Sequence, residues 1–332
     1  MAFTKNHRNC AQLTGHARAE FRLHVENYAT ANLLPIKPSA SLYYSIPVGQ
    51  GVLPAAASFR SWNTESEVGD LPAGEERGGK LPPISIRTPV DEYQELVMYN
   101  ADDDIIGEAF EERAARNAQA IGSRFVLAQV EALVFGRVTL QERQMNLVVD
   151  FGRKPAQTAT AGTLWNVANA DPIADLEGLR QVMGKGVTST FLPRSVMSLL
   201  QTNTEIIKLV TGRGTDLPSR VSEQDVRSVL ADWGFGYVEI NEQTIVNRAG
   251  AEVPLFPADR VVLVSGSQVG DTLLGVTAES IQPENGISRK EAPGLFSGAT
   301  HSHDPEGYNV LVSALGIPVL TAADNTASLK VK

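Results

Sequence analysis

Residues 104–135 read DIIGEAFEERAARNAQAIGSRFVLAQVEALVF. Apolar or small residues recur at Ile106, Phe110, Ala114, Ala118, Ile121, Phe125, Ala128, Ala132 and Phe135. Each lies three or four positions after the last, so all share one face of an α-helix. At a rise of about 1.5 Å per residue, this rod is on the order of 45 Å long. Asp102, Asp103 and Asp104 offer N-cap oxygens, and Glu108, Glu111 and Glu112 place negative charge near the positive end of the helix dipole. Glu112 and Arg116 are spaced to pair at i, i+4. Beyond Arg124, Val126, Leu127, Val130, Leu133 and Val134 make the helix apolar on more sides, which predicts the better-buried half. The remaining positions carry Arg, Asn and Gln and no reactive group, so the helix reads as a structural spine.

The flanking segments do not read as independent units. In residues 1–56, Ala17–Tyr28 predicts a short helix, followed by Leu33-Leu34-Pro35-Ile36-Lys37-Pro38, Tyr43-Tyr44 and Ile46-Pro47. Proline at that density favours extended backbone, and the segment reads as an arm. Residues 57–98 read as a long hairpin, with Ser58–Val68 as one strand and Ile84, Ile86, Thr88 and Val90 alternating along the other. Its charged, Gly-rich tip holds Glu75, Glu76, Arg77 and Lys80. An isolated two-stranded hairpin is marginal in water, so this one must rest on something else, and another subunit is the economical candidate. Trp62 has little core of its own to enter there. With Glu75, Glu76, Arg77 and Lys80 it is the expected set of subunit-contact residues, and deletion of Ala73–Lys80 is expected to spare folding while weakening association.

After the spine, strands are expected around Val138–Leu140 and Met145–Phe151, then a Thr/Ala-rich boundary at Ala156–Ala161. From Asp171 the pattern becomes α/β. Asp171-Pro172 is an N-cap followed by proline at the first helical position, and the helix should end at Met183 before Gly184 and Gly186. Helices are predicted at 193–201, 204–211 and 222–233, the last with Ser222 and Asp225 as a capping box. Strands are predicted at 188–192, 237–240, 244–248, 260–264, 272–276, 308–315, 317–320 and 328–331.

Chemistry is sparse. The 332 residues carry 29 Lys and Arg against 38 Asp and Glu, a net charge of −9, so a polyanion would have to meet a local basic patch. Cys10 is the sole cysteine, which excludes an intrachain disulfide framework and a Cys-rich zinc site. Met1–Arg8 carries no apolar run, and no apolar stretch approaches the roughly 18 residues of a membrane span. A soluble protein made in a reducing cytosol is expected. Gly184-Lys185-Gly186 lacks the upstream glycine and following Ser/Thr of a P-loop and reads as a helix stop. His301-Ser302-His303-Asp304 is the one metal-like cluster, and without a second motif it reads as an exposed loop. His7, His16 and His24 read as solvated. No catalytic, cofactor-binding or metal residue is expected.

The order of parts, together with Phe59-Arg60-Ser61-Trp62-Asn63-Thr64-Glu65, Val148-Val149-Asp150-Phe151-Gly152-Arg153, Trp165, Asp171-Pro172, and the ending Tyr308–Val312 through Ile317–Thr321, resembles the lambda-type capsid protein E family of tailed bacteriophages. The resemblance covers about residues 30–332. It implies an α+β chain with the Hong Kong 97-type capsid fold. Residues 1–56 would be the N-terminal arm and 57–98 the extended loop. Residues 99–151 and 278–315 would form the peripheral domain around spine helix 104–135, and 152–277 with 316–332 the axial domain.

What the resemblance implies of function is a major capsid protein that self-assembles as hexamers and pentamers into an icosahedral shell enclosing double-stranded DNA. It would be located in the virion and assembled in the host bacterial cytoplasm. Further implied partners are a separate scaffold protein, a portal, and a decoration protein, with no membrane. Some family members crosslink a loop lysine to a neighbour's asparagine. Lys80 occupies the loop tip, but it reads as a solvated lysine. Lys5, Arg8, Arg18 and Arg22 are the expected source of local positive charge toward DNA. Two other readings remain: an encapsulin-type nanocompartment shell with the same fold, and a cytosolic α/β enzyme using His301 and His303.

Overall fold

The computed structural model describes residues 3–4, 7–48, 62, 75–91, 93, 96, 103–142, 145–167, 169–212, 217–247, 249–303 and 306–332. Helix α1 (Cys10–Glu26) is followed by strands β1 (Ile36–Pro38), β2 (Tyr43–Val48), β3 (Glu75–Lys80) and β4 (Pro83–Asp91). The spine α2 (Asp103–Phe135) leads into β5 (Arg137–Glu142), β6 (Met145–Asp150) and β7 (Thr158–Thr160). Then come α3 (Pro172–Met183), β8 (Ser189–Pro193), α4 (Arg194–Thr202), α5 (Thr204–Thr211) and α6 (Glu223–Asp232). Strands β9 (Tyr237–Asn241), β10 (Thr244–Val246), β11 (Glu252–Pro254), β12 (Arg260–Val264), β13 (Asp271–Leu274), β14 (Phe296–His303), β15 (Glu306–Val319) and β16 (Thr326–Lys330) complete the fold. No helix among the described residues is long and apolar enough to cross a membrane.

The spine buries the face that its spacing predicts. Phe110, Ala114, Ala118, Ile121, Phe125, Ala128 and Ala132 are all buried, as are Val126, Val130, Leu133 and Val134 of the C-terminal half. Ile106 and Leu127 are half-buried, and Phe135 is partly exposed with the Arg260 guanidinium 5.1 Å from its ring centroid. Two polar residues of the same helix point inward rather than to solvent. Asn117 donates to the Val310 carbonyl (3.0 Å) and accepts from the Thr88 hydroxyl (2.6 Å). Gln129, fully buried, donates to the Leu34 carbonyl (3.1 Å) and to Thr272 Oγ1 (2.8 Å), and accepts from Thr30 Oγ1 (2.7 Å). Each amide therefore clips the spine to two other segments, and loss of either would leave buried groups without partners.

Residues 10–48 depart from the expected arm. Asn9 and Gln12 form a reciprocal capping box that starts α1 seven residues earlier than the apolar pattern suggests. Leu13, Ala17, Phe21 and Val25 then recur every four residues and are buried against the spine. The helices approach closely at Gly122, where an added Cβ would lie 2.9 Å from the His24 ring. His24 is consequently half-buried, with its Nε2 2.9 Å from Ser123 Oγ, rather than solvated. Burial lowers its imidazole pKa. A folded pKa below the unfolded one means that its packing contributes fully above the unfolded value of about 6.5 and is lost as pH falls through the folded value. Thermal melts from about pH 7.5 to about pH 5 should therefore show a steeper loss for the native chain than for His24→Gln. Equal pH profiles would exclude His24 as a contributor.

Only part of the expected 57–98 hairpin lies within the described residues. Ser58–Val68 lies outside the described residues except for Trp62. β3 pairs with β2, and β4 pairs antiparallel with β15 from Asp91↔Gly307 to Pro83↔Leu315. Burial explains this: β4 finds a long partner strand in the core, whereas a free hairpin would have none. One five-stranded sheet runs β1-β13-β15-β14 with β4 also on β15. Strand β15 is one 14-residue strand where two are expected, and its Val310, Val312 and Ala314 pack in the spine core. Strand β13 and residues 316–319 thus lie in this sheet rather than with the α/β half.

A second five-stranded sheet, β7-β16-β12-β8-β9, separates two cores. Alternation along β12 sends Val262 and Val264 to the spine side and Val261 and Leu263 to the side covered by α3, α4 and α6. Strand β7 occupies the expected Thr/Ala-rich boundary and pairs in parallel with β16. Several local expectations hold here: α3 starts at the Asp171 cap and ends at left-handed Gly184, and α6 has the Ser222–Asp225 capping box.

Arg153 joins the two parts. Its side chain is buried, and it donates to the Leu133 (2.7 Å) and Val134 (2.6 Å) carbonyls at the end of the spine. The same guanidinium donates to Thr326 Oγ1 (3.3 Å) and Thr158 Oγ1 (2.6 Å) of the α/β sheet. Burial, with Arg260 nearby, lowers its pKa to about 10, so it remains charged at neutral pH. Gly136, at φ +66°, ends the spine, and a Cβ there would sit 2.8 Å from Arg153 Cβ. Substitution at Gly136 is therefore opposed by both backbone conformation and space.

Candidate assembly surfaces

Of the five residues expected at subunit contacts, the structure places four on one ribbon. Glu75 and Glu76 stand opposite Val48 and Pro47, Arg77 opposite Ile46, and Lys80 opposite Tyr43. Lys80 is exposed at the end of β3, not at the tip of a hairpin. Arg77 Nη1 lies 3.5 Å from Asp150 Oδ2, an exposed ion pair that contributes little to stability but links the ribbon to β6. Trp62 is 96% exposed. Deletion of Ala73–Lys80 would now remove all of β3 and uncover its partner strand, so its effect would extend to folding.

The ribbon has two unlike faces. Tyr44 and Ile46 are buried in the spine core, while Tyr43 is 61% exposed and the adjoining Leu42 52%. Tyr43 and Leu42 together make an exposed apolar surface on the ribbon, of the kind that marks association sites. On the α/β half, Tyr237 and Val246 are similarly exposed. On the same half Arg194 bridges Glu223 and Glu242, which holds the Glu223 carboxyl below its ordinary pKa.

The expected basic residues are mostly engaged within the chain. Arg8 pairs with Glu111 at 2.6 Å, and Arg18 Nε donates to the Leu295 carbonyl at 2.7 Å. Arg22 is exposed, and Lys5 lies outside the described residues. An open cleft of about 600 Å³ between the end of α1 and β9 is lined by Glu26, Asn27, Tyr28, Glu239 and Gln243. Burial raises the Glu239 pKa there, and among the described residues no Ser, Thr, Cys or Lys lines the cleft beside it.

His301 and His303 belong to β14 and not to a loop. The register pairs His303 with Glu306 and His301 with Tyr308. Among the described residues, His301, His303 and Glu306 form the one group able to hold a metal, with all donor atoms within 4.8 Å of one another.

Comparison with known proteins gives these surfaces their meaning. The family model described as phage major capsid protein E matches residues 35–331. The chain belongs to this family. It is a phage capsid protein, a structural component of a virion shell, and its mixed helix and sheet architecture is the Hong Kong 97-type fold. A candidate prophage capsid protein of Escherichia coli CFT073 superimposes with TM-score 0.61 at 15% identity, covering 98% of this chain and 99% of that one. A phage-related protein of Bordetella bronchiseptica RB50 gives 0.53 at 13% identity over 99% and 98%. The satellite phage P4 procapsid, solved with its size determination protein, gives 0.51 at 10% identity over 94% and 90%. No curated protein matches.

Three residues important to this capsid architecture went unread in the sequence. Arg153 lay inside a quoted stretch without a role, because a guanidinium capping a helix 18 residues upstream leaves no local pattern. Asn117 and Gln129 did leave one: Asn117 is three residues after Ala114, and Gln129 four after Phe125, which places both on the apolar stripe.

Proposed function

We propose that this chain assembles as hexamers and pentamers into a closed icosahedral shell around double-stranded DNA, and that it acts by association rather than catalysis. The family match over residues 35–331 carries the reading. The β2–β3 ribbon and the segment through Trp62 are the parts that interlock neighbouring copies, and Tyr43 and Leu42 provide apolar contact. The peripheral part is residues 99–151 with 278–315, extended by α1, β13 and residues 316–319. The axial part is the remainder of 152–332. Two hydrophobic cores on opposite sides of the β7-β16-β12-β8-β9 sheet support this division.

A separate scaffold, a portal and a decoration protein complete the head, which assembles in the host cytoplasm. The procapsid neighbour, solved with a size determination protein, supports a shell that takes its dimensions from another chain. Expression of the full chain with and without the other head proteins of its genome, followed by size exclusion and electron microscopy, tests the proposal. Megadalton shells containing DNA in the complete system are expected. A chain that stays monomeric in every combination, or shells that enclose an enzyme and exclude DNA, would overturn it.

A further inference from the structure

The geometry points to a transition-metal site at the connected end of the β14–β15 hairpin, formed by His301, His303 and Glu306 and suited to Zn²⁺. The strand period of two puts His301 and His303 on the same face of β14. Cross-strand partners share a face, so Glu306, opposite His303, joins them, and so does Tyr308, opposite His301. The three donors lie within 4.8 Å of one another, and His301 Nε2 is 2.7 Å from Glu306 Oε1. Tetrahedral zinc with bonds of about 2.0–2.1 Å separates its ligand atoms by about 3.4 Å, so small side-chain rotations suffice.

The site is held before any ion arrives. The His301 ring packs edge-on against Tyr308 at 5.1 Å and against His303 at 4.6 Å. Tyr308 in turn packs on the buried Phe110 of the spine at 5.2 Å. One ligand is therefore oriented by a core residue, which separates this cluster from a pair of freely rotating surface histidines. Two imidazoles with one carboxylate suit zinc better than magnesium or calcium, which prefer all-oxygen sets. Three protein ligands leave a position for water. An ion here clamps β14 to β15 where β4 also ends, at Asp91↔Gly307, and so fixes the point at which the chain leaves the spine sheet.

This inference does not depend on shell formation. Titration of the full chain, free of any histidine tag and stripped with chelator, with Zn²⁺ in calorimetry tests it. Co²⁺ substitution gives a spectroscopic readout in parallel. One ion per chain is expected, with the intense visible bands of four-coordinate Co²⁺. His301→Ala and His303→Ala should each weaken binding at least about 100-fold, since even loss of an outer partner weakens a site 10–100-fold. Glu306→Gln should weaken it by about 10-fold, and His16→Ala should leave it unchanged. Absence of binding at micromolar Zn²⁺, or binding that survives His301→Ala/His303→Ala, would overturn the assignment.

Discussion

Arg153→Met is expected to destabilise the folded chain by about 2–4 kcal/mol, the largest effect of a single side chain outside the hydrophobic cores. Two opposing terms set this magnitude. Removing the guanidinium relieves the burial that already lowers its pKa to about 10. Against that, the Leu133 and Val134 carbonyls lose a charged donor at the negative end of the spine dipole, and Thr158 and Thr326 lose the same partner. Charge-assisted hydrogen bonds contribute about 1.5–3 kcal/mol each, so four contacts outweigh the relief. Arg153→Lys retains charge but not the planar fork and should recover less than half of the loss. Urea denaturation followed by circular dichroism measures both variants. A Met variant within about 0.5 kcal/mol of the native chain would show that the spine does not need this cap.

Tyr43→Glu should leave folding intact and abolish closed shells. Its partner across the ribbon is Lys80, and its ring is 61% exposed, so little within the chain depends on it. At an interface, loss of a buried tyrosine removes on the order of 2 kcal/mol, and burying a carboxylate there adds a desolvation penalty that the exposed Lys80 only partly offsets. Even 2 kcal/mol per subunit raises the concentration needed for assembly about 30-fold. The melting curve of the unassembled chain and the particle count in electron micrographs separate the two effects. Shells at native yield would remove the ribbon from the proposed interface.

Periodic features were readable in advance because they need only local sequence. The spine stripe, the Asp171-Pro172 start of α3 and the Ser222–Asp225 box all appear where expected. Strand partners were not readable, because pairing depends on chain brought from far away. The alternation Ile84–Val90 correctly indicates a strand, yet nothing local in it names residues 307–315 as a partner. Strand β14 escaped detection because Ser297, Gly298, Thr300 and Ser302 dilute its apolar residues. The His301–Glu306 grouping was hidden for the same reason: the sequence shows two histidines, while the register supplies the carboxylate and the tyrosine beside them. The family resemblance set the fold class but could not assign the Arg153, Asn117 or Gln129 contacts, which belong to this chain's own packing.

Strand β15 also dictates when this protein can fold. Its residues 306–319 lie between β14 and β4 and extend to β13, and β16 likewise completes the second sheet. During synthesis, α1 and the spine emerge long before these strands, with Leu13, Phe21, Phe110 and Phe125 still uncovered. Contacts of such sequence separation form slowly, and apolar surface exposed meanwhile is prone to aggregate. The nascent chain is therefore expected to need a holding chaperone until residue 319 has left the ribosome. The same delay keeps incomplete chains from acquiring a finished spine sheet and entering a shell.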